Sequence, residues 1–238
     1  MDDFPPLPAI LMRRGLERAR QALSNVYDNG ARFSSIPQMI DLSSEQITEM
    51  SRTNPEEFAR RYLAKNIVKC SFAFEIYKTR FQSVRRVVDL GTGPGTFMFA
   101  ISASSPNTNE FVGVDKSRAS LKVAASIFRN SHLPQPLFIR APVPQGVVAG
   151  GKFFTASYLV AEMGDRNYRL FLDWIALRAD ARFLLVDYPH KVRDVSRRLA
   201  GHRPCQTRMV KLQLPRDIAE IVGDDQISFG AAYVPITK

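Results

Sequence analysis

From residue 85 onward the chain alternates between two hydrophobic periodicities. Short, nearly continuous apolar runs rich in β-branched residues and Phe are the pattern of strands buried on both faces. Between them, apolar residues recur every three or four positions, as on the buried stripe of a helix. The pattern predicts strands at 85–90, 110–115, 136–140, 152–158, 181–187, 205–213 and 226–235, with helices at 95–104, 117–130, 165–178, 190–200 and 215–222. Strands that alternate with helices predict a parallel sheet. The last two strands, joined around a short helix, read as a hairpin-like pair. The expected class is α/β, a doubly wound, seven-stranded, Rossmann-like sheet.

Residues 1–80 carry no strand pattern. An amphipathic helix is predicted at 7–27, where Leu11, Leu16, Leu23 and Val26 fall near helical spacing, and Asn29-Gly30 ends it. Ser43 and Gln46 are spaced as a capping box for a short helix. Asn54-Pro55-Glu56-Glu57 then opens a long one with a capping Asn, Pro at the first helical position and acids in the first turn. That helix runs to about residue 80. Its apolar positions, among them Phe58, Tyr62, Ile67, Phe72, Phe74, Ile76 and Tyr77, are too many for one narrow stripe, so it is expected to pack on two sides. The division this suggests is a helical cap or lid over residues 1–82 and a catalytic domain over 83–238.

The chemistry is concentrated in Asp89-Leu90-Gly91-Thr92-Gly93-Pro94-Gly95-Thr96, between the first strand and its helix. Glycines there let the backbone take positive φ and approach a ligand with no Cβ in the way, and the N–H groups that follow face it. The spacing is G-x-G-x-G, which differs from the G-x-G-x-x-G of a nicotinamide-dinucleotide site. A second acid, Asp115, closes the next strand 20 residues beyond Gly95, where a carboxylate can accept hydrogen bonds from a ribose diol. A plain glycine turn without a ligand is the structural alternative.

Strand, DLGTGPGT loop, helix, strand and Gly113-Val114-Asp115 together resemble motif I and the following acid of class I S-adenosylmethionine-dependent methyltransferases. The resemblance implies that family's doubly wound sheet and S-adenosylmethionine as cofactor. In such sheets the ligand lies outside the carboxyl ends of the strands, which selects the loops 91–96, 115–118, 140–146 and 157–163. The residues assigned to the cofactor are accordingly Asp89, Gly91, Thr92, Gly93, Gly95, Thr96, Asp115, Lys116, Ala141 and Ser157. A finer resemblance covers roughly residues 55–205. Ala59-Arg60-Arg61-Tyr62-Leu63-Ala64, the glycine loop, Ala156-Ser157-Tyr158-Leu159-Val160-Ala161-Glu162-Met163 and Phe183-Leu184-Leu185-Val186-Asp187 are similar to segments of the mitochondrial small-ribosomal-subunit methyltransferase-like family and its bacterial relatives. That implies a ribosomal RNA substrate. Members of that family carry several cysteines after the fifth strand; this chain has only Cys205 there, too few for an iron–sulfur site.

Few side chains can act as a base for methyl transfer. His190 follows the fifth strand and can take a proton from a hydroxyl or nitrogen, or be a surface histidine at a helix start. Glu162 can contact substrate or cofactor or cap a turn, and Tyr158 can stack on a planar substrate or belong to the core. The Asn/Asp-Pro-Pro-Tyr/Phe signature of amino-group methyltransferases is absent after the fourth strand.

The 238 residues carry a formal charge of +10. Eight cations stand between residues 191 and 216 against one acid, Asp194, whereas residues 1–80 hold twelve cations and ten acids. A basic stretch fits RNA, or is a solvated face without the aromatics of a stacking platform. No apolar run approaches the roughly 20 residues that span a bilayer, so no membrane partner is expected. Two cysteines and an acidic, proline-rich start, with no signal-peptide pattern, suggest a reducing, cytoplasmic setting. The sequence therefore leaves three readings: an RNA methyltransferase, a small-molecule N- or O-methyltransferase with a helical lid, and a non-catalytic RNA-binding assembly factor.

Overall fold

The computed structural model describes residues 4–27, 43–81, 83–102, 108–131, 133–144 and 152–237. Three helices come first: α1 (Ala9–Tyr27), α2 (Ser44–Thr53) and α3 (Pro55–Tyr77), the last followed by a short 3-10 turn (Lys78–Arg80). The Asn29-Gly30 break lies outside the described residues. Ser43 and Gln46 form the reciprocal capping box, and the Asn54 side chain accepts from the Glu57 N–H at the start of α3. Then follow β1 (Arg86–Leu90), α4 (Thr96–Ser102), β2 (Glu110–Asp115), α5 (Arg118–Arg129), β3 (Leu137–Arg140), β4 (Phe153–Ser157), α6 (Leu159–Glu162), α7 (Asp165–Leu177), β5 (Arg182–Asp187), α8 (Pro189–Leu199), β6 (Gln206–Gln213), α9 (Arg216–Val222) and β7 (Gln226–Val234).

One sheet of seven strands runs β3-β2-β1-β4-β5-β7-β6. The first five are parallel; β7 lies antiparallel between β5 and β6. Because alternate residues face opposite sides of a strand, the core divides in two. Val87, Leu184 and Val186 face a layer that holds α1, α3, α4, α5 and α9. Val88, Phe183 and Leu185 face a layer of α7 and α8. Each Leu, Val or Phe sealed in this way contributes about 1.5–3 kcal/mol.

Helix α3 is buried almost all round and touches α1, α4, α9 and β7. Phe72 is fully enclosed, and Gly15 on α1 is small enough to admit its ring, since a Cβ there would stand 2.5 Å from Phe72 Cδ1. The buried ion pair between Arg18 of α1 and Glu75 of α3 is 2.7 Å long and ties the two helices together. The consequence for the site is that α3 passes close to the carboxyl ends of β4 and β5.

Candidate functional site

Order reverses between β1 and β4: β2 and β3 lie to one side of β1, β5 to the other side of β4. A crevice opens at that point. Three glycines shape its floor, with φ of +60° at Gly91, +52° at Gly93 and +91° at Gly95. A Cβ at Gly91 would meet Leu159 at 2.6 Å and one at Gly95 would meet the Phe128 ring at 2.7 Å, whereas at Gly93 nothing lies closer than 4.0 Å. Gly93 thus faces open space on the ligand side.

The loop is tied down by specific hydrogen bonds. The buried Asp89 carboxylate accepts from the Thr92 hydroxyl (2.7 Å) and the Thr155 hydroxyl (2.6 Å), and burial pushes its pKa up to about 7. Asp89 therefore sits behind the loop and shapes it. Asp115 accepts from the Gly93 N–H (2.9 Å) and the Ser117 N–H (2.7 Å). Burial raises its pKa, while these donors hold it down. Each of its oxygens keeps a further lone pair for a ligand hydroxyl.

Gly91, Thr92, Gly93, Thr96, Asp115, Lys116 and Ser157 line this cavity. The others lie next to it. Gly95 packs on Phe128, and Ala141 is buried, its N–H donating to the Asp115 carbonyl. Pro142 and Val143 take the lining position in place of Ala141. This arrangement suits an adenosine cofactor: a cradle without side chains, a carboxylate in reach of a diol, and an apolar wall.

A second cavity opens under α2 and α3 and shares Thr48, Phe58, Asn66, Tyr158 and Glu162 with the first. Tyr62, Lys65, Lys69 and Tyr188 are among its other walls. Phe72 and Tyr77 of the same helix lie in the core. The Tyr77 hydroxyl donates to the Gln206 carbonyl.

Of the three candidate catalytic residues, two meet at this junction. Glu162 closes α6, lines both cavities and accepts from the Ser51 hydroxyl at 3.3 Å. Surrounding protein and the Asp115 charge push its pKa up to about 7. Tyr158 adopts a left-handed backbone, φ 57°, at the end of β4. His190 does not join them. It is exposed, stacked on Tyr188 with ring centres 5.9 Å apart, and lines neither cavity.

The pattern of the chain gave no sign of Lys69 as a site residue. This α3 lysine is only 7% exposed. Its ammonium lies 4.9 Å from the centre of the Tyr158 ring, and burial lowers its pKa to about 7. Asp187 was equally unassigned. It is buried at the end of β5 and accepts from the N–H groups of Ala161 (3.1 Å) and Tyr188 (2.8 Å), so it fixes the turn that carries Tyr158 and Glu162. Its position at the carboxyl edge of a parallel strand was the available signal.

No family model matches the chain, and no curated protein matches its sequence. Solved structures do match its fold. The mitomycin 7-O-methyltransferase MmcR aligns with a TM-score of 0.55 at 12% identity, over 95% of this chain and 69% of its own. A candidate RNA methyltransferase, PH1948 from Pyrococcus horikoshii, gives 0.54 at 12% identity over 84% and 100%. The precorrin-6y C5,15-methyltransferase of Geobacter metallireducens GS-15 gives 0.52 at 11% identity over 86% and 98%. The fold is the Rossmann-like fold of class I methyltransferases, and it is shared by neighbours whose names refer to unlike acceptors. Among the described residues, no helix is long and apolar enough to cross a membrane.

Proposed function

We propose that the protein is an S-adenosylmethionine-dependent methyltransferase that acts on a small organic acceptor held under the N-terminal helices. The observation that carries this reading is the joining of the two cavities at Tyr158 and Glu162. One cavity is floored by the glycine loop; the other is roofed by α2 and α3 and walled by aromatic rings.

Asp115 is suited to the ribose hydroxyls, Gly91 and Gly93 to close backbone approach, and Pro142 and Val143 to the adenine face. When bound, the cofactor supplies an electrophilic methyl group on a sulfonium. The chain's own task is mostly positioning. Phe58, Tyr62, Tyr158 and Tyr188 hold an acceptor against the junction, and Glu162 takes the proton an acceptor O–H or N–H must lose. The division into a lid, residues 1–82, and a catalytic domain, 83–238, belongs to the same reading.

The RNA expectation has less support. Of the cations between 191 and 216, Arg203 is sealed in the core. Arg197 and Arg198 bond Asp194, and Arg216 bonds Glu220. Lys191, Arg193, Arg208 and Lys211 of the same stretch, with the resemblance to the small-ribosomal-subunit family, are the remaining arguments for RNA.

The test is incubation of the protein with tritium-methyl S-adenosylmethionine and a host-cell extract. Label in the small-molecule fraction is expected. Label in an acid-precipitable, ribonuclease-sensitive fraction would move the acceptor to RNA. Absence of S-adenosylmethionine binding in calorimetry would remove the cofactor assignment.

A further inference from the structure

The second cavity has a polarity of its own. Glu162 stands where it joins the glycine-loop cavity, whereas Lys69 lines only the part beyond. The Lys69 ammonium is buried, and among the described residues it has neither a hydrogen bond nor an ion pair; the Tyr158 ring face lies against it, and Lys65, Asp224 and Asp187 act on it only through their charge. The charged groups nearest to it are committed elsewhere. Asp187 accepts two backbone N–H groups, and Asp224 is ion-paired with Lys65. A ring quadrupole replaces only part of what water gives an ammonium. Such a buried cation is costly unless it gives up its proton or something supplies the missing countercharge, and an anionic ligand would hold it charged.

The walls indicate what that is. Phe58 and Tyr62 from α3 and Tyr158 and Tyr188 from the strand ends line it together, and four aromatic rings favour a flat molecule. With Lys65 on the same wall offset by Asp224, Lys69 and the Asn66 amide offer one net positive charge and a few donors. That matches a carboxylate, whereas a phosphate dianion would require more. The Glu162 carboxylate repels an anion at the opposite end, so the ligand can lie only one way round.

We propose that this cavity takes a planar organic acid, with its carboxylate on Lys69, its ring between the aromatic walls and its methyl-accepting atom toward Glu162. The inference rests on the methyltransferase reading above and names the class of acceptor for that same site. A buried lysine kept without a partner is also a stability cost of the kind binding sites retain.

The test is calorimetry on the full chain saturated with S-adenosylhomocysteine. Benzoate, 4-hydroxybenzoate and indole-3-carboxylate are titrated, each beside its primary amide. At least one acid is expected to bind about tenfold or more tightly than its amide. In Lys69→Met that preference disappears, S-adenosylhomocysteine binding is unchanged, and the melting temperature is equal or higher; Lys69→Gln replaces this variant should it not fold. Amides that bind as well as the acids would overturn the proposal. So would a preference that survives the loss of Lys69, or failure of every acid to bind the loaded protein. Failure of the wild type to bind S-adenosylhomocysteine would overturn the cofactor reading instead.

Discussion

The Lys69 ammonium lies 4.9 Å from the centre of the Tyr158 ring, and Tyr158 holds φ at 57° at the end of β4. A left-handed backbone costs a residue with a side chain roughly 1–2 kcal/mol. It is held by the Tyr158 N–H, which donates to the Val186 carbonyl at 2.7 Å, and by Asp187, which binds the next turn. Strain of this kind persists where the surroundings over-determine it. Here it turns an aromatic ring toward the junction of the two cavities.

Among the described residues, the Tyr158 hydroxyl is buried without a hydrogen-bond partner. An unsatisfied buried hydroxyl costs about 1–3 kcal/mol. Tyr158→Phe removes that cost and keeps the ring, so thermal unfolding should show equal or higher stability. Tyr158→Ala loses the ring and the cation–π contact while keeping the strained backbone, and should melt several degrees lower. A clear loss of stability in the Phe variant would show that the hydroxyl has a partner.

Two glycines of the loop should separate binding from folding. Gly93→Arg places a side chain in the open cradle. It should abolish S-adenosylmethionine binding in calorimetry while costing only the roughly 1 kcal/mol of a residue at positive φ. Gly95→Ala drives its Cβ against Phe128, which stacks on Phe99 with ring centres 3.9 Å apart. It should unfold at markedly lower denaturant concentration. Undiminished cofactor affinity in Gly93→Arg would dissociate the loop from the site.

The sheet was legible because each buried strand is a continuous apolar run, and the glycine loop because few other tasks require three glycines between a strand and a helix. Side-chain direction was not. Helix α3 is buried on nearly every side, so periodicity carried no facing information, and Lys69 in Asn66-Ile67-Val68-Lys69-Cys70 reads like any solvated lysine. His190 sits at the expected strand edge, but Pro189 starts α8 there and the imidazole turns outward to stack on Tyr188. Ala141 was one residue short of the Pro142 and Val143 wall.

Arg203 shows the same limit for charge. It belongs to the basic stretch, yet its guanidinium is 2% exposed and donates to the carbonyls of Ile175, Arg178, Ala181 and Pro235. Removing it takes a donor from each of them, although the Ile175 and Arg178 carbonyls keep the N–H groups of Arg178 and Ala181. Arg203→Met should cost about 3–5 kcal/mol in urea unfolding and should not alter the salt dependence of ligand binding. Wild-type stability in that variant would return Arg203 to the surface charges.

Glu162 as proton acceptor fixes the pH profile. Its pKa is raised to about 7, so the ionised fraction, and with it turnover, should climb as pH rises through 7 and then level off. Glu162→Gln should lose about 100-fold or more in kcat and show no such rise. A Gln variant with wild-type turnover and the same profile would assign the ionisation to another group.

Stability should depend on pH with the opposite sign to ordinary carboxylates. Burial raises Asp89 from 3.8 to about 7 in the folded chain. Between these values the folded state keeps a proton that the unfolded state has lost. The stabilisation is complete below the unfolded pKa and is withdrawn as pH rises to about 7, at up to about 1.4 kcal/mol per pH unit. Asp187, also raised to about 7 by burial, adds a slope of the same sign. Asp89→Asn can still bond the Thr92 and Thr155 hydroxyls but has no proton to lose. Its melting temperature should therefore gain on the wild type steadily between pH 4.5 and 7, intervals set by the same linkage at about those values. Above 7 the difference should stay constant. Parallel curves through that interval would mean that Asp89 is ionised throughout, with the two threonines stabilising its charge in full.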